Sequence, residues 1–137
     1  MKQTQKAWTF VPKKTPKPKV PENVKIEVEA KAKDLIESFL KPTNIKPPSE
    51  KNDSSYIVDI YSKWYHNYYN FYSKYHCRAA NCIAPFFETK FARMEYAGSD
   101  RFNLSYMRYT EQWFENLRGL SMNECFARIK DDPTFLP

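Results

Sequence analysis

Residues 61–77 read YSKWYHNYYNFYSKYHC: six tyrosines, one phenylalanine and one tryptophan in seventeen positions, with no aliphatic side chain. Two patterns fit this stretch. On a helical wheel, Tyr61, Trp64, Tyr65, Tyr68, Tyr69, Tyr72 and Tyr75 share one face, while Ser62, Lys63, His66, Asn67, Asn70 and Lys74 share the other. As a hairpin turning near His66 and Asn67, the stretch instead puts Val58, Ile60, Trp64, Tyr69, Phe71 and Tyr75 on an apolar face. The opposite face then carries Asp59, Tyr61, Lys63, Tyr65, Tyr68, Asn70, Tyr72 and Lys74, because side chains alternate along a strand. Periodicity alone leaves both open. Aromatic residues favour strands, and the good helix formers Ala, Leu and Glu are missing, which leans the reading towards a hairpin.

The flanking segments are plainer. Downstream, Ala92, Met94 and Tyr96 alternate with Arg93 and Glu95. After the turn signal AGSD, Phe102, Leu104 and Tyr106 alternate with Asn103 and Ser105. This predicts a second antiparallel hairpin with one buried face. A turn at Thr110–Gln112 leads to a short third strand, WFENL, at 113–117. Ser121-Met-Asn-Glu124 is a capping box, in which serine takes an orphan backbone N–H and glutamate reaches back to the serine N–H. It opens a helix over 121–131 with Met122, Cys125, Phe126 and Ile129 inward, ended by Pro133.

Upstream, Val24, Val28, Ala32, Leu35, Ile36, Phe39 and Leu40 recur at helical spacing after Pro21 and Glu22, which suit a first turn. A helix is predicted over 21–41, with Pro42, Pro47 and Pro48 stopping it and SEKNDSS continuing as linker. Residues 1–20 alternate lysine with Pro12, Pro16 and Pro18 and read as an extended basic tail, in which Trp8 and Phe10 could dock. The division expected is a tail over 1–20 and a single domain over 21–137. The fold class expected is α+β: an antiparallel sheet of about five strands, two hairpins plus a short third meander strand, with an N-terminal and a C-terminal helix.

The net charge of +6 is uneven. Residues 1–50 hold 11 Lys and Arg against 6 Asp and Glu, and residues 51–137 hold 11 against 10. The basic character therefore belongs to the N-terminal part. The longest apolar runs fall far short of the roughly 20 residues that span a bilayer, so a soluble chain with no membrane partner is expected. Three cysteines cannot all pair, and no signal peptide is evident, which favours reduced thiols and a cytoplasmic location.

The segments IAPFFETKFARMEY, RFNLSYMRYTEQWFENL and LSMNECFARIKDDPTF, with Ala92, Trp113 and Asp132-Pro133 at matching places, give the chain a family likeness. Over about residues 56–137 it resembles a family of small bacterial proteins described only as a domain of unknown function. The resemblance implies an upstream hairpin where this chain has residues 56–77, and it implies no catalytic signature.

No catalytic residue, metal site or cofactor is assigned. Cys77-x4-Cys82 is the only close cysteine pair, and His76 adjoins Cys77, so their side chains diverge where zinc would need convergence. Cys77 and Cys82 read as a partly buried thiol pair in a loop, and Cys125 as core. Asp131 and Asp132 read as a helix stop. The candidate binding residues are Lys13, Lys14, Lys17 and Lys19 of the tail with Tyr61, Lys63, Tyr65, Tyr68, Tyr72 and Lys74 of the hairpin. The plainer reading of the tyrosines is that helix 21–41 covers them. If they are open, they suit a protein interface, including a homodimer, because the ring is large and keeps a polar tip. They also suit single-stranded nucleic acid, by stacking bases while lysines hold phosphates. A non-catalytic interaction module is the first expectation, nucleic-acid binding the second and a thiol enzyme the weakest.

Overall fold

In a computed structural model, which describes residues 18–46, 55–107 and 111–137, the tyrosine-rich stretch forms two strands. β1 (Tyr56–Tyr65) and β2 (Tyr68–His76) pair antiparallel, with Trp64 opposite Tyr69 and Tyr61 opposite Tyr72. The turn falls at His66 and Asn67, where His66 takes a left-handed φ of 56°. Asn67 closes the turn onto the next strand by accepting the Tyr96 N–H at 2.9 Å. The helical wheel for this stretch is thereby replaced. Its tyrosines split between two faces instead of gathering on one.

β3 (Phe86–Gly98), β4 (Arg101–Met107) and β5 (Trp113–Leu120) complete an antiparallel sheet in the order β1-β2-β3-β4-β5. The β3–β4 turn uses Ser99 and Asp100, both at positive φ (52° and 58°), the backbone that a two-residue hairpin loop demands. β5 runs three residues beyond the expected 113–117. Residues 108–110, in the loop before it, lie outside the described residues.

Both helices lie on one face of the sheet. α1 (Glu22–Leu35) buries Val24, Val28, Ala32 and Leu35, and α3 (Met122–Asp131) buries Cys125, Phe126 and Ile129. Between them and the sheet sit Ile60, Tyr69, Phe71, Ala92, Met94, Tyr96, Phe102 and Leu104. Trp64 joins this layer, its indole N–H donating to the Lys25 carbonyl at 3.4 Å. The capping box at Ser121 and Glu124 is complete, with both reciprocal bonds present. Phe135, in the final turn Pro133–Phe135, is also buried.

The N-terminal helix departs from expectation at its end. It does not stop at Pro42: after α1 come a π-helical turn, Ile36–Leu40, and α2 (Lys41–Asn44). A proline inside a helix lacks a donor and crowds the carbonyl four residues back. Here the wider turn directly precedes Pro42, and the Lys41 N–H reaches the Ile36 carbonyl, so the helix widens where that crowding would fall. The helix therefore continues through the proline.

Candidate binding face

The face of the sheet turned away from α1 and α3 is built by simple alternation. With Ile60, Trp64, Tyr69 and Phe71 inward, Tyr61, Lys63 and Tyr65 of β1 and Tyr68, Asn70, Tyr72 and Lys74 of β2 must point outward. The same rule puts Arg93 and Glu95 of β3 on this face, between inward Ala92, Met94 and Tyr96. The expectation that the N-terminal helix covers the tyrosines is overturned. α1 covers the opposite face, because its apolar stripe meets the Ile60–Trp64 side of the hairpin.

Three aromatic–cation groups follow one another across this face. In the first, the Tyr61 and Tyr72 rings stack with centroids 4.8 Å apart and planes 7° from parallel. Lys63 Nζ stands 5.1 Å from the Tyr72 centroid, and Lys90 Nζ stands 5.8 Å from it. The Tyr61 hydroxyl donates to Glu88 Oε2 at 2.6 Å. Partial burial and then this carboxylate push the Tyr61 phenol well above its ordinary range.

In the second group the Arg93 guanidinium lies between two rings, 4.4 Å from Tyr68 and 4.5 Å from Trp113. Desolvation lowers its pKa, opposed by the charges of Tyr68, Glu95 and Glu115. Asn70, paired in register with Arg93, is 4% exposed, and its Oδ1 is without a hydrogen-bond partner. The third group joins Tyr56, His76 and Phe86, with His76 5.3 Å from Tyr56 and 5.0 Å from Phe86. Lys74 Nζ sits 4.9 Å from the Phe86 centroid, and Arg78 sits 5.8 Å from Tyr56. Rings with cations above them are energetically favourable when part-buried, and they hold long side chains in place.

All six hairpin candidates therefore share one face, as the hairpin alternation predicts. Tyr65 is the most exposed of the rings at 63%, whereas Tyr72 is buried beneath its neighbours at 8%. Lys19 is exposed but lies elsewhere, lining a hollow with Lys25, His66 and Asn67 at the β1–β2 turn. Lys13, Lys14 and Lys17 lie outside the described residues, as do Trp8 and Phe10. Sequence reasoning missed Lys90, Arg93 and Trp113 as members of the face. The alternation of Arg93 with Ala92 and Met94 pointed to it, but which strands stand beside β2 is set by pairing, which composition does not carry.

The cysteines also correct an expectation. Cys77 and Cys82 are joined by a disulfide across the β2–β3 loop, not held as free thiols. His66 and His76 stand at opposite ends of β2, and among the described residues no group of three or more His, Cys, Asp or Glu could hold a metal ion. Cys125 is buried in the core, and desolvation pushes its thiol up to about 12, so it is protonated and unreactive at neutral pH. Asp132 accepts the Thr134 N–H at 3.0 Å and caps the final turn. What the face offers is π surface, fixed cations and interspersed carboxylates, which suit recognition by contact.

Comparison with known proteins places the chain by sequence alone. A family model described as a domain of unknown function (DUF3024) matches residues 18–137. No curated protein and no solved structure matches. Among the described residues no helix is long and apolar enough to cross a membrane.

Proposed function

Since the chain belongs to the DUF3024 family, whose description assigns no activity, we propose its function from the sheet face: a non-catalytic module that binds a protein partner through the surface opposite α1 and α3. The observation that carries this reading is the Tyr68–Arg93–Trp113 sandwich beside the stacked Tyr61–Tyr72 pair. Tyr, Trp and Arg are the side chains that dominate binding energy at protein interfaces, and here they are pre-ordered by one another, which lowers the entropy lost on contact. The charge pattern favours a protein over a nucleic acid. Glu88, Glu95 and Glu115 are interspersed with Lys63, Lys90 and Arg93, so a continuous phosphate chain would meet carboxylates along its path.

A photo-crosslinking amino acid placed at Tyr65, in cells producing the full chain, tests the reading. Discrete protein adducts are expected from position 65 and not from the exposed Ile26 of α1. Trp113→Ala and Arg93→Ala should abolish them while the fold is retained. Adducts that ignore these substitutions, or none from position 65, would defeat the proposal.

One feature favours a second reading, single-stranded nucleic acid: the exposed Tyr65 ring shares its face with Lys63 and Lys74, and residues 1–20 hold six lysines and no acid. Binding of this kind should weaken with salt with a slope of about −0.7 per phosphate contacted on single strands. Tyr68→Ala should lower affinity by roughly 1–3 kcal/mol per stacked base and leave that slope unchanged. Absence of oligonucleotide binding at low salt excludes it.

A further inference from the structure

We propose that the end of the β2–β3 hairpin, Ile83 to Phe87, inserts into an anionic lipid surface. This site borders the sheet face proposed above and shares Phe86, Lys74, Arg78 and Lys90 with it, but its tip, Ile83 to Pro85, belongs to the loop beyond that face. Ile83, Ala84, Pro85, Phe86 and Phe87 are five consecutive apolar residues, and all five are exposed. Ile83 is 106% exposed, Phe86 47% and Phe87 41%. A run of this length left in water is a cost that a folded chain sheds unless the surface is used.

The geometry fits a bilayer better than a protein pocket. Among the described residues β3 finds its β4 partners only from Arg93 onward, while its Phe86–Lys90 part is paired with β2. The two phenylalanines follow each other on a strand and so point to opposite faces of the hairpin. Phe86 lies with His76 and beneath Lys74, while Phe87 stacks on Tyr75 with planes 3° apart. A wedge that is apolar on both faces matches a disordered acyl layer, whereas a protein partner would need a slot closing on both sides. The Cys77–Cys82 disulfide and the Cys77 N–H bond to the Pro85 carbonyl, 2.7 Å, brace the loop, so little conformational freedom is lost on insertion.

Charge supplies the second half of the argument. Lys74, Arg78 and Lys90 lie behind the tip, where lipid headgroups would stand, and the chain carries a net +6. The one carboxylate near them in sequence, Glu88, accepts the Tyr61 hydroxyl. Apolar insertion with flanking cations is the arrangement that holds a protein on anionic membrane without a spanning segment, so the lack of a long apolar helix among the described residues does not bear on it.

Co-sedimentation of the full chain with phosphatidylcholine vesicles, with and without phosphatidylglycerol, tests this. Retention is expected on the anionic vesicles only, partly resistant to salt. Ile83→Asp should weaken retention about ten- to hundredfold, the scale of one buried aliphatic side chain. It should leave the melting temperature unchanged, since the fully exposed Ile83 has no native burial to lose. Ile26→Asp, on exposed α1 surface, should bind as the parent does. Lys74→Ala with Arg78→Ala should remove part of the salt-sensitive component. The proposal is overturned if the parent is not retained on anionic vesicles. It is overturned equally if Ile83→Asp is retained as well as the parent, because the basic N-terminal residues would then account for binding alone. Tip substitutions that disturb only association with a protein would also overturn it.

Discussion

Cys125 shows how one buried side chain sets a pH limit. Its thiol is raised from an ordinary 9.0 to about 12, with burial as the main cause. A group whose neutral form is favoured by folding contributes in full below its unfolded pKa and loses that contribution as the unfolded chain ionises. The melting temperature should therefore fall between about pH 9 and 12. The buried phenols of Tyr69 and Tyr75, also raised, act in the same direction. Cys125→Ala should melt lower at neutral pH because it leaves a cavity, and it should show a shallower alkaline decline. An unchanged decline in this variant would remove the thiol from the account. At the helix start, Ser121→Ala removes the bond to the Glu124 N–H and should cost about 1 kcal/mol, measured by urea unfolding. Glu124, whose carboxyl is lowered by its bond to the Ser121 backbone, supports the cap above its unfolded pKa. That support is lost as pH falls through the lower, folded value. Both residues were legible in the sequence, since a capping box is defined within four positions. The disulfide was not legible, because whether Cys77 reaches Cys82 depends on how the loop between two strands is folded.

At the scale of elements, the hairpin alternation put Tyr61, Lys63, Tyr65, Tyr68, Asn70, Tyr72 and Lys74 on one face as observed, with propensity deciding over periodicity. It missed the bulge between Ile57 and Asp59, which packs Ile57 instead of Val58 against the core. The end of the N-terminal helix was misjudged, because a proline stops a regular helix but not one that widens first. β1 illustrates a further point that no pattern announces. As an edge strand it carries outward backbone groups that could pair with another chain. Asp59 covers one of them, accepting the Ile60 N–H at 2.9 Å, and Lys41 holds Asp59 at 3.3 Å. Asp59→Ala should change stability by no more than about 1 kcal/mol, as for other exposed ion pairs, yet promote concentration-dependent association. Sedimentation velocity checks this, and an unaltered monomer–oligomer balance would show that the edge is guarded in some other way. The Cys77–Cys82 bridge closes a short loop, with a sequence separation of 5, so its reduction should cost about 2 kcal/mol on loop-entropy grounds. Thermal unfolding with and without a thiol reductant measures it, and no shift would mean that the reduced loop keeps its shape.

For the whole molecule, the fold class was readable because each strand and helix carries its own local signal. The composite face was only half readable. Tyr61, Lys63, Tyr65, Tyr68, Tyr72 and Lys74 come from one contiguous hairpin, whereas Arg93 and Trp113 reach Tyr68 through strand pairing across the sheet. The covering layer was read wrongly for a related reason: an amphipathic helix states that it needs an apolar partner, not which face of a sheet provides it. The strand order has a consequence of its own, in time instead of space. Because every strand pairs with its neighbour in the chain, the sheet can zip up from local turns, a route that costs little loop entropy and is fast. α1 has no such shortcut. It is made before the strands it packs on, with Val24, Val28 and Ala32 unsheltered, and must wait for β1 and for α3, which follows all five strands in the chain. During that interval the nascent chain carries a bare apolar helix, and it is then, before the sheet exists, that the unsheltered stripe is most open to aggregation.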